Sequence, residues 1–461
     1  MSKNITRREA LKDMLYMGVG LASAGTILQA CASRSGERMA ASKVTYQPKP
    51  EAPAGSKVDT RHFDSLGLDI SMLGLGCMRL PSRPRSQGGG LDQDAVNEMV
   101  DYSIEHGINY FDTAPIYGQS EVVMGHALKR HPRESFMLAT KMSTMNDPNP
   151  TVESAKRMFE TSMKNLQVDY FDFYLLHNVS SEEQFERRFG SNGVMDYILS
   201  LKEEGKIRHL GFSFHGSNAD LPPLLDKYPW EFVQIQLNYV DWKYFTAQWD
   251  QPDSECSSEA LYNILHERNI PVLVMEPVKG GALANVSDAL RDKMLERHPD
   301  LSPAGNALSF VGSLPGVMVT LSGMSNMDQL KENVSLFTGF KPFDEADMKF
   351  MDTIADLYNA NVHVPCTACS YCMPCPNGVD IPGNFKVFNT CSDELSIPNP
   401  AHKDKDYKQK KKVFLKRYNE LEKGMRADAC IDCGACLPKC PQRIRIPEQL
   451  HMISSLVASL D

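Results

Sequence analysis

Between residues 59 and 340, short apolar runs of strand character alternate with stretches whose apolar residues recur at helical spacing. The runs are 71–76, 110–112, 136–140, 171–176, 207–212, 232–236, 272–275 and 317–321, eight in all. Helical patterns such as 94–106 and 152–166 lie between them. Eight parallel strands, each feeding a helix, describe a (β/α)8 barrel of the TIM type, and this span suits a fold that usually takes ~250 residues. A doubly wound sheet is the alternative. No G-x-G-x-x-G follows an early strand, so its dinucleotide-binding version has little support. The whole chain has 461 residues, 42% of them hydrophobic and 23% charged. That composition excludes disordered, collagen-like and multi-span membrane classes. Its formal net charge of -9 gives no basic excess for nucleic acid, which is not an expected partner.

In such a barrel, chemistry sits at the C-terminal ends of the strands. Those ends carry Asp112 and Tyr117 after the second run, Lys141 after the third, His177 after the fourth and Ser213 after the fifth. Each alone is weak evidence, because a single His or Lys at a strand end is commonly structural. Four complementary groups at three successive ends suit proton-coupled hydride transfer to a carbonyl. A phenol donates poorly at neutral pH from its usual pKa of ~10. A neighbouring ammonium favours the phenolate, and Lys141, oriented by Asp112, could supply it. His177 could hydrogen-bond the carbonyl oxygen and steer it toward Tyr117.

Nine of the twelve cysteines fall between Cys366 and Cys440. Cys366, Cys369, Cys372 and Cys375 are spaced by two residues and followed by Pro376. Cys430, Cys433, Cys436 and Cys440 form the run C-x2-C-x2-C-x3-C-P, which binds iron–sulfur clusters in bacterial ferredoxins. Zinc is the rival, since two C-x2-C pairs can make a four-thiolate site. Two quartets, each closed by proline, favour iron–sulfur. Cys77, Cys256 and Cys391 fit no motif and read as buried thiols. Residues 403–423 carry nine Lys/Arg against four Asp/Glu, which reads as a solvated helix or a docking face for an acidic redox partner.

The middle of the chain resembles the aldo/keto reductases. The resemblance rests on the stretches from Gly107 to Gly118, Ala139-Thr140-Lys141, Leu175-Leu176-His177, Gly205 to Ser213 and Glu332-Asn333. It implies a catalytic tetrad of Asp112, Tyr117, Lys141 and His177 with a nicotinamide cofactor, usually NADPH. By family position, Ser213 and Gln234 would hold the carboxamide, while Gly323, Ser325, Gln329 and Asn333 would line the adenosine phosphate. Met275 stands where the family often stacks an aromatic on the nicotinamide, and 321–326 carries no Lys or Arg for a 2'-phosphate. Either NADP(H) or NAD(H) is therefore expected. The C-terminal region is similar to two-cluster ferredoxins, in which the fourth ligand of each cluster comes from the other motif. This implies two [4Fe-4S] clusters, one on Cys366, Cys369, Cys372 and Cys440, the other on Cys430, Cys433, Cys436 and Cys375. The first motif is one residue short before its last cysteine, so closure of each cluster within its own motif stands as the other arrangement.

Arg7-Arg8 with Leu11-Lys12, followed by a mild apolar stretch, resembles a twin-arginine export signal, and Leu28-Gln29-Ala30-Cys31 resembles a lipoprotein cleavage box. The expected organisation is a signal over 1–31, a flexible tether over 32–58, a reductase barrel over 59–345 and a small α-rich ferredoxin-like domain over 346–461. The expected protein is exported, periplasmic or at the cell surface, with membrane contact only through a lipid on Cys31. It would reduce a small-molecule carbonyl or oxidise an alcohol, and would pass electrons through its clusters to or from a redox protein. The alternative is an iron–sulfur relay whose barrel only senses nucleotide or docks. The stretches 180–192 and 239–256 are expected to shape the substrate pocket.

Overall fold

The computed structural model describes residues 45–84, 88–147, 149–243, 256–359, 363–401 and 403–460. The export and lipid signals read from the first 31 residues, and Cys31 itself, lie outside them. The chain divides into two compact units.

The larger unit is a closed barrel of eight parallel strands. In chain order these are β1 (Leu73–Gly76), β2 (Tyr110–Asp112), β3 (Met137–Met142), β4 (Phe171–Val179), β5 (Ile207–Phe214), β6 (Phe232–Gln236), β7 (Val272–Met275) and β8 (Val317–Ser322). Each pairs with the next, and β8 closes on β1. All eight expected runs are strands. Four run past their expected ends, β3 to Met142, β4 to Val179, β5 to Phe214 and β8 to Ser322.

Strand periodicity sorts the side chains into two layers. Tyr110, Ala139, Phe173, Leu175, Phe232 and Leu273 pack together inside the barrel. Phe111, Leu138, Tyr174, Leu176, Val233 and Val274 join the larger core under the helices. Continuing the inward series by two residues toward the C-terminal ends reaches Asp112, Lys141, His177 and Gln234. An antiparallel hairpin, Thr60–Phe63 with Leu68–Ser71, packs Phe63, Leu66 and Leu68 against the interior residues.

The surrounding helices follow local signals. Val152–Leu166 opens on a capping box in which the Thr151 side chain accepts from Ser154 N, and it ends at Gln167 in the left-handed region. The described part of the expected tether, 45–58, is laid on the barrel rather than loose. Gln47 N donates to the Pro299 carbonyl at 2.8 Å, Val58 N donates to His106 O at 2.9 Å, and Ala52 and Val58 are buried. Two small apolar anchors within a Pro/Ala/Gly-rich stretch are enough to fix it. The helix Glu345–Asn359, placed from sequence in the second domain, packs with the barrel. Its buried stripe of Met351, Ile354, Ala355 and Tyr358 joins the barrel's outer core, so the helix belongs to the larger unit, which runs to Asn359.

The smaller unit gathers the helices Ile381–Asp393, Tyr407–Asn419 and Ile446–Ala458 around Phe385, Phe388, Phe414, Ile446, Leu450 and Ile453. The basic segment is the second of these helices. It buries Phe414 and Tyr418 and leaves Lys408, Lys412 and Lys416 exposed on one stripe.

Gly125 shows how tightly the barrel's helices pack. It lies on Ser120–Leu128, and a Cβ there would stand 2.1 Å from the backbone oxygen of Asn165. Backbone cannot yield as a side-chain tip can. Gly125→Ala is therefore expected to destabilise the barrel by about 1–3 kcal/mol despite its better helix propensity. Urea unfolding followed by circular dichroism checks this, and a variant as stable as the parent would contradict the close approach.

Candidate active site and thiol cradles

Lys141 is a fully buried charge at the C-terminal mouth of the barrel, with no exposed surface. Its Nζ donates to Asp112 Oδ1 at 2.6 Å and to the Thr113 carbonyl at 2.8 Å. Gln234 Nε2 donates to the second Asp112 oxygen at 3.3 Å. A charge this deep survives only if paired and hydrogen-bonded. The loop after β2 brings back Tyr117, whose ring centroid lies 5.2 Å from Lys141 Nζ, within cation–π reach. The His177 ring stands edge-on to it, with centroids 5.9 Å apart and planes at 85°. Asp112, Tyr117, Lys141 and His177 are thus one cluster.

The state of His177 is set by its surroundings. Burial, then the neighbouring basic groups Lys141, His215 and Arg188, hold its imidazole well below the usual histidine range, so it is neutral at pH 7. Ser143 Oγ lies 2.5 Å from its Nδ1. A serine hydroxyl donating to Nδ1 puts the ring proton on Nε2 and makes that atom a donor.

The expected nucleotide residues divide into a deep and a shallow group. Ser213 and Gln234 are buried beside the tetrad, and the Ser213 hydroxyl accepts from Asn178 N at 2.8 Å. Met275 ends β7, half-buried. Gly323, Ser325 and Gln329 are exposed around the start of the helix Met327–Phe337, where Gln329 Oε1 accepts from Ser325 N at 2.8 Å. Asn333 is buried and donates to Ser322 Oγ at 3.0 Å. Buried amide and hydroxyl groups at the strand ends, leading to an exposed helix N-terminus, suit a ligand with a neutral amide at one end and phosphate at the other.

Three residues here were not singled out from sequence. Ser143 lies two residues past Lys141. Arg79 supplies a cation beside Gly323, where a Cβ would stand 3.7 Å from its own Cβ. Arg188 lies in the stretch 180–192, expected only to shape the pocket. Of the other pocket stretch, Tyr239 to Trp242 is buried and 244–255 lies outside the described residues.

The second unit holds the eight motif cysteines, and their local backbones match. In each motif the residues two and four past the first cysteine have positive φ: Ala368 at 52° and Ser370 at 63°, Asp432 at 56° and Gly434 at 69°. This curl turns successive thiols and amides toward one centre. Ala368 N donates to Cys366 Sγ at 3.4 Å, and Ile444 N donates to Cys440 Sγ at 3.5 Å. Burial pushes the Cys372 thiol up to about 12, and the thiols of Cys369, Cys366 and Cys440 push the same way. Burial also raises Cys436, with Cys430, Cys433 and Cys375 adding to it. Cys440 is therefore a neighbour of Cys372, and Cys375 of Cys436. All eight sulfurs are free of disulfides, and soft thiolates in quartets fit iron–sulfur chemistry. Cys77, Cys256 and Cys391 are buried, as expected.

The buried imidazoles predict a pH dependence. Burial brings His215, just past β5, down to about 4, and His177 is also held well below its free value. Above the unfolded value of ~6.5, neither imidazole carries a proton in either state, and stability is full. As pH falls below that value, the unfolded chain takes up protons that the native barrel refuses, and stability drops. His177→Gln and His215→Gln should each remove about 1.4 kcal/mol per pH unit from the slope between pH ~6 and ~5. Urea unfolding across that range tests it, and a slope unchanged in both variants would show that neither ring is held neutral.

Known proteins bear on this reading. A family model described as "Aldo/keto reductase family" matches residues 72–356, and one described as "4Fe-4S dicluster domain" matches 365–444. The uncharacterized oxidoreductase YqkF of Bacillus subtilis (strain 168) is 26% identical over 333 residues, 65% of this chain and 98% of YqkF. The NADH-specific methylglyoxal reductase of Escherichia coli (strain K12) is 26% identical over 312 residues, 58% of this chain and 90% of that enzyme. Among solved structures, the holo form of an aldo-keto reductase from Bacillus halodurans superposes with a TM-score of 0.51 at 24% identity, covering 64% of this chain and 96% of that one. That likeness establishes the barrel fold, and the first model spans more than half of the chain. The chain belongs to the aldo/keto reductase family and carries a 4Fe-4S domain after its barrel.

Proposed function

We propose that the barrel reduces a small aldehyde or ketone, or oxidises the corresponding alcohol, with Tyr117 as the proton donor to the carbonyl oxygen. The observation that carries this is the buried Lys141–Asp112 pair, with its ammonium 5.2 Å from the Tyr117 ring. Nicotinamide nucleotide, when bound, supplies the hydride. The residues suited to holding it are Ser213 and Gln234 at the amide end, Met275 against the ring, and Gly323, Ser325, Gln329 and Asn333 at the adenosine end, with Arg79 adding positive charge. Lys141 favours the phenolate that Tyr117 leaves behind. His177, neutral and protonated on Nε2, orients the carbonyl toward the phenol. Asp112 keeps Lys141 charged and in place. Both NADPH and NADH are test cofactors, and the similarity to an NADH-specific methylglyoxal reductase makes methylglyoxal a sensible first substrate.

The second unit is proposed to hold two [4Fe-4S] clusters with crossed ligands, Cys366, Cys369, Cys372 and Cys440 on one, Cys430, Cys433, Cys436 and Cys375 on the other. These clusters would exchange single electrons with a redox protein, as a function separate from two-electron transfer in the barrel. The N-terminal signals support export of the folded, cofactor-loaded chain by the twin-arginine route, with a lipid on Cys31 as anchor. Clusters inserted before export would require a route for folded proteins.

Tyr117→Phe is expected to lower carbonyl turnover by about 10²–10⁴-fold while the brown absorbance of the clusters is unchanged. Turnover within twofold of the parent would remove Tyr117 from its role. For the clusters, Cys366→Ala with Cys440→Ala should halve the iron content, from about eight to about four per chain, because both ligands belong to one cluster. Cys436→Ala with Cys440→Ala should strip both clusters. The opposite pattern would mean that each motif closes its own.

A further inference from the structure

Arg188 is a buried cation whose charge helps to keep His177 neutral but whose hydrogen bonds the reading above leaves unused. It lies on a π-helical turn, Glu186–Gly190, beyond β4, and is 5% exposed. Among the described residues no carboxylate lies within ion-pairing distance of it. Neutral oxygens satisfy it instead. Its Nη2 donates to the His177 carbonyl at 2.7 Å, its Nη1 to the Asn178 carbonyl at 2.7 Å, and its Nε to Thr144 Oγ1 at 2.9 Å.

Those acceptors mark an irregularity in the barrel. The register between β4 and β5 shifts between Leu176 and Val179, and Asn178 takes a left-handed φ of 57°. A bulge of this kind re-aims side chains and takes backbone groups out of the ladder. Here it turns Asn178 N toward the Ser213 hydroxyl, 2.8 Å away. The two carbonyls at the bulge are the ones that Arg188 holds. Its third acceptor, Thr144, is the chain neighbour of Ser143, whose hydroxyl meets His177 Nδ1 at 2.5 Å. One guanidinium therefore fixes the backbone under His177, the segment that orients its ring, and the turn that reaches Ser213.

We propose that Arg188 is a positioning residue for the barrel's reaction, clamping the β4 bulge so that His177 and Ser213 point into the site. The proposal rests on the carbonyl-reductase reading above. Lysine at this position keeps the charge but offers a point donor, and cannot span three acceptors in a plane. Misplacing a reacting group by an ångström costs up to about a hundredfold in rate.

The test is a double-mutant cycle on the full-length, cluster-loaded protein, with methylglyoxal and NADPH or NADH as probes. Arg188→Lys should lower kcat about 10- to 100-fold and weaken nucleotide binding several-fold, with circular dichroism and iron content unchanged. Combined with His177→Gln, it should add little further loss in kcat, because its effect passes through that ring. Arg188→Gln serves as the second variant if the lysine variant does not fold. Losses that multiply in full, a lysine variant within twofold of the parent, or collapse of both variants would overturn the positioning role. A His177→Gln protein that turns over like the parent would instead refute the reductase reading itself, and that outcome is visible without Arg188.

Discussion

The buried bond between Lys141 and Asp112 governs the rest of the barrel mouth. Removing two charges from water costs several kcal/mol per ion, and removing one partner from such a pair typically costs about 3–5 kcal/mol more. The interior meets that cost with two acceptors on the ammonium and a further donor on its carboxylate partner. Asp112 ends β2, the Thr113 carbonyl follows it, and Gln234, which donates to Asp112, lies on β6, across the barrel from β2. Only a closed barrel brings them together. Burial keeps His177 neutral, and the arrangement adds to it, because a second cation beside Lys141 would be repelled. One interaction therefore positions the amine beside both the imidazole and the phenol ring.

The second unit solves a different problem with little core. Its helices bury a modest apolar cluster, and its thiols lie in loops whose left-handed residues recur at the same places in both motifs. Three of those four residues are not glycine, so the turns are held against their local preference. A metal cluster is a cross-link that can supply such restraint. The proposed crossing of Cys440 to the first triplet and Cys375 to the second would tie the two motifs together across the helices Ile381–Asp393 and Tyr407–Asn419.

Much of this was legible in the sequence for a definite reason. Strand alternation has a period of two, so Tyr110, Ala139, Phe173 and Leu175 inside the barrel fix where Asp112, Lys141 and His177 must point. The cysteine spacing is equally local. What could not be read depends on pairing between distant segments. Arg188 looks like any arginine on a polar stretch, and its acceptors exist only because β4 slips against β5 at Asn178. Ser143 follows the Lys141 stretch closely, yet nothing in sequence says that its hydroxyl meets His177. The stripe of Met351, Ile354, Ala355 and Tyr358 announces a buried helix face without saying which unit covers it.

Whether the barrel transfers hydride, or only holds nucleotide, is the central question. The most direct measurement is anaerobic incubation of the intact protein with nicotinamide nucleotide deuterated at the transferable position and a panel of small aldehydes and ketones, followed by mass spectrometry of the products. The account predicts an alcohol carrying one deuterium on the former carbonyl carbon. Nucleotide that binds tightly yet leaves every carbonyl in the panel unlabelled and unreduced would contradict it.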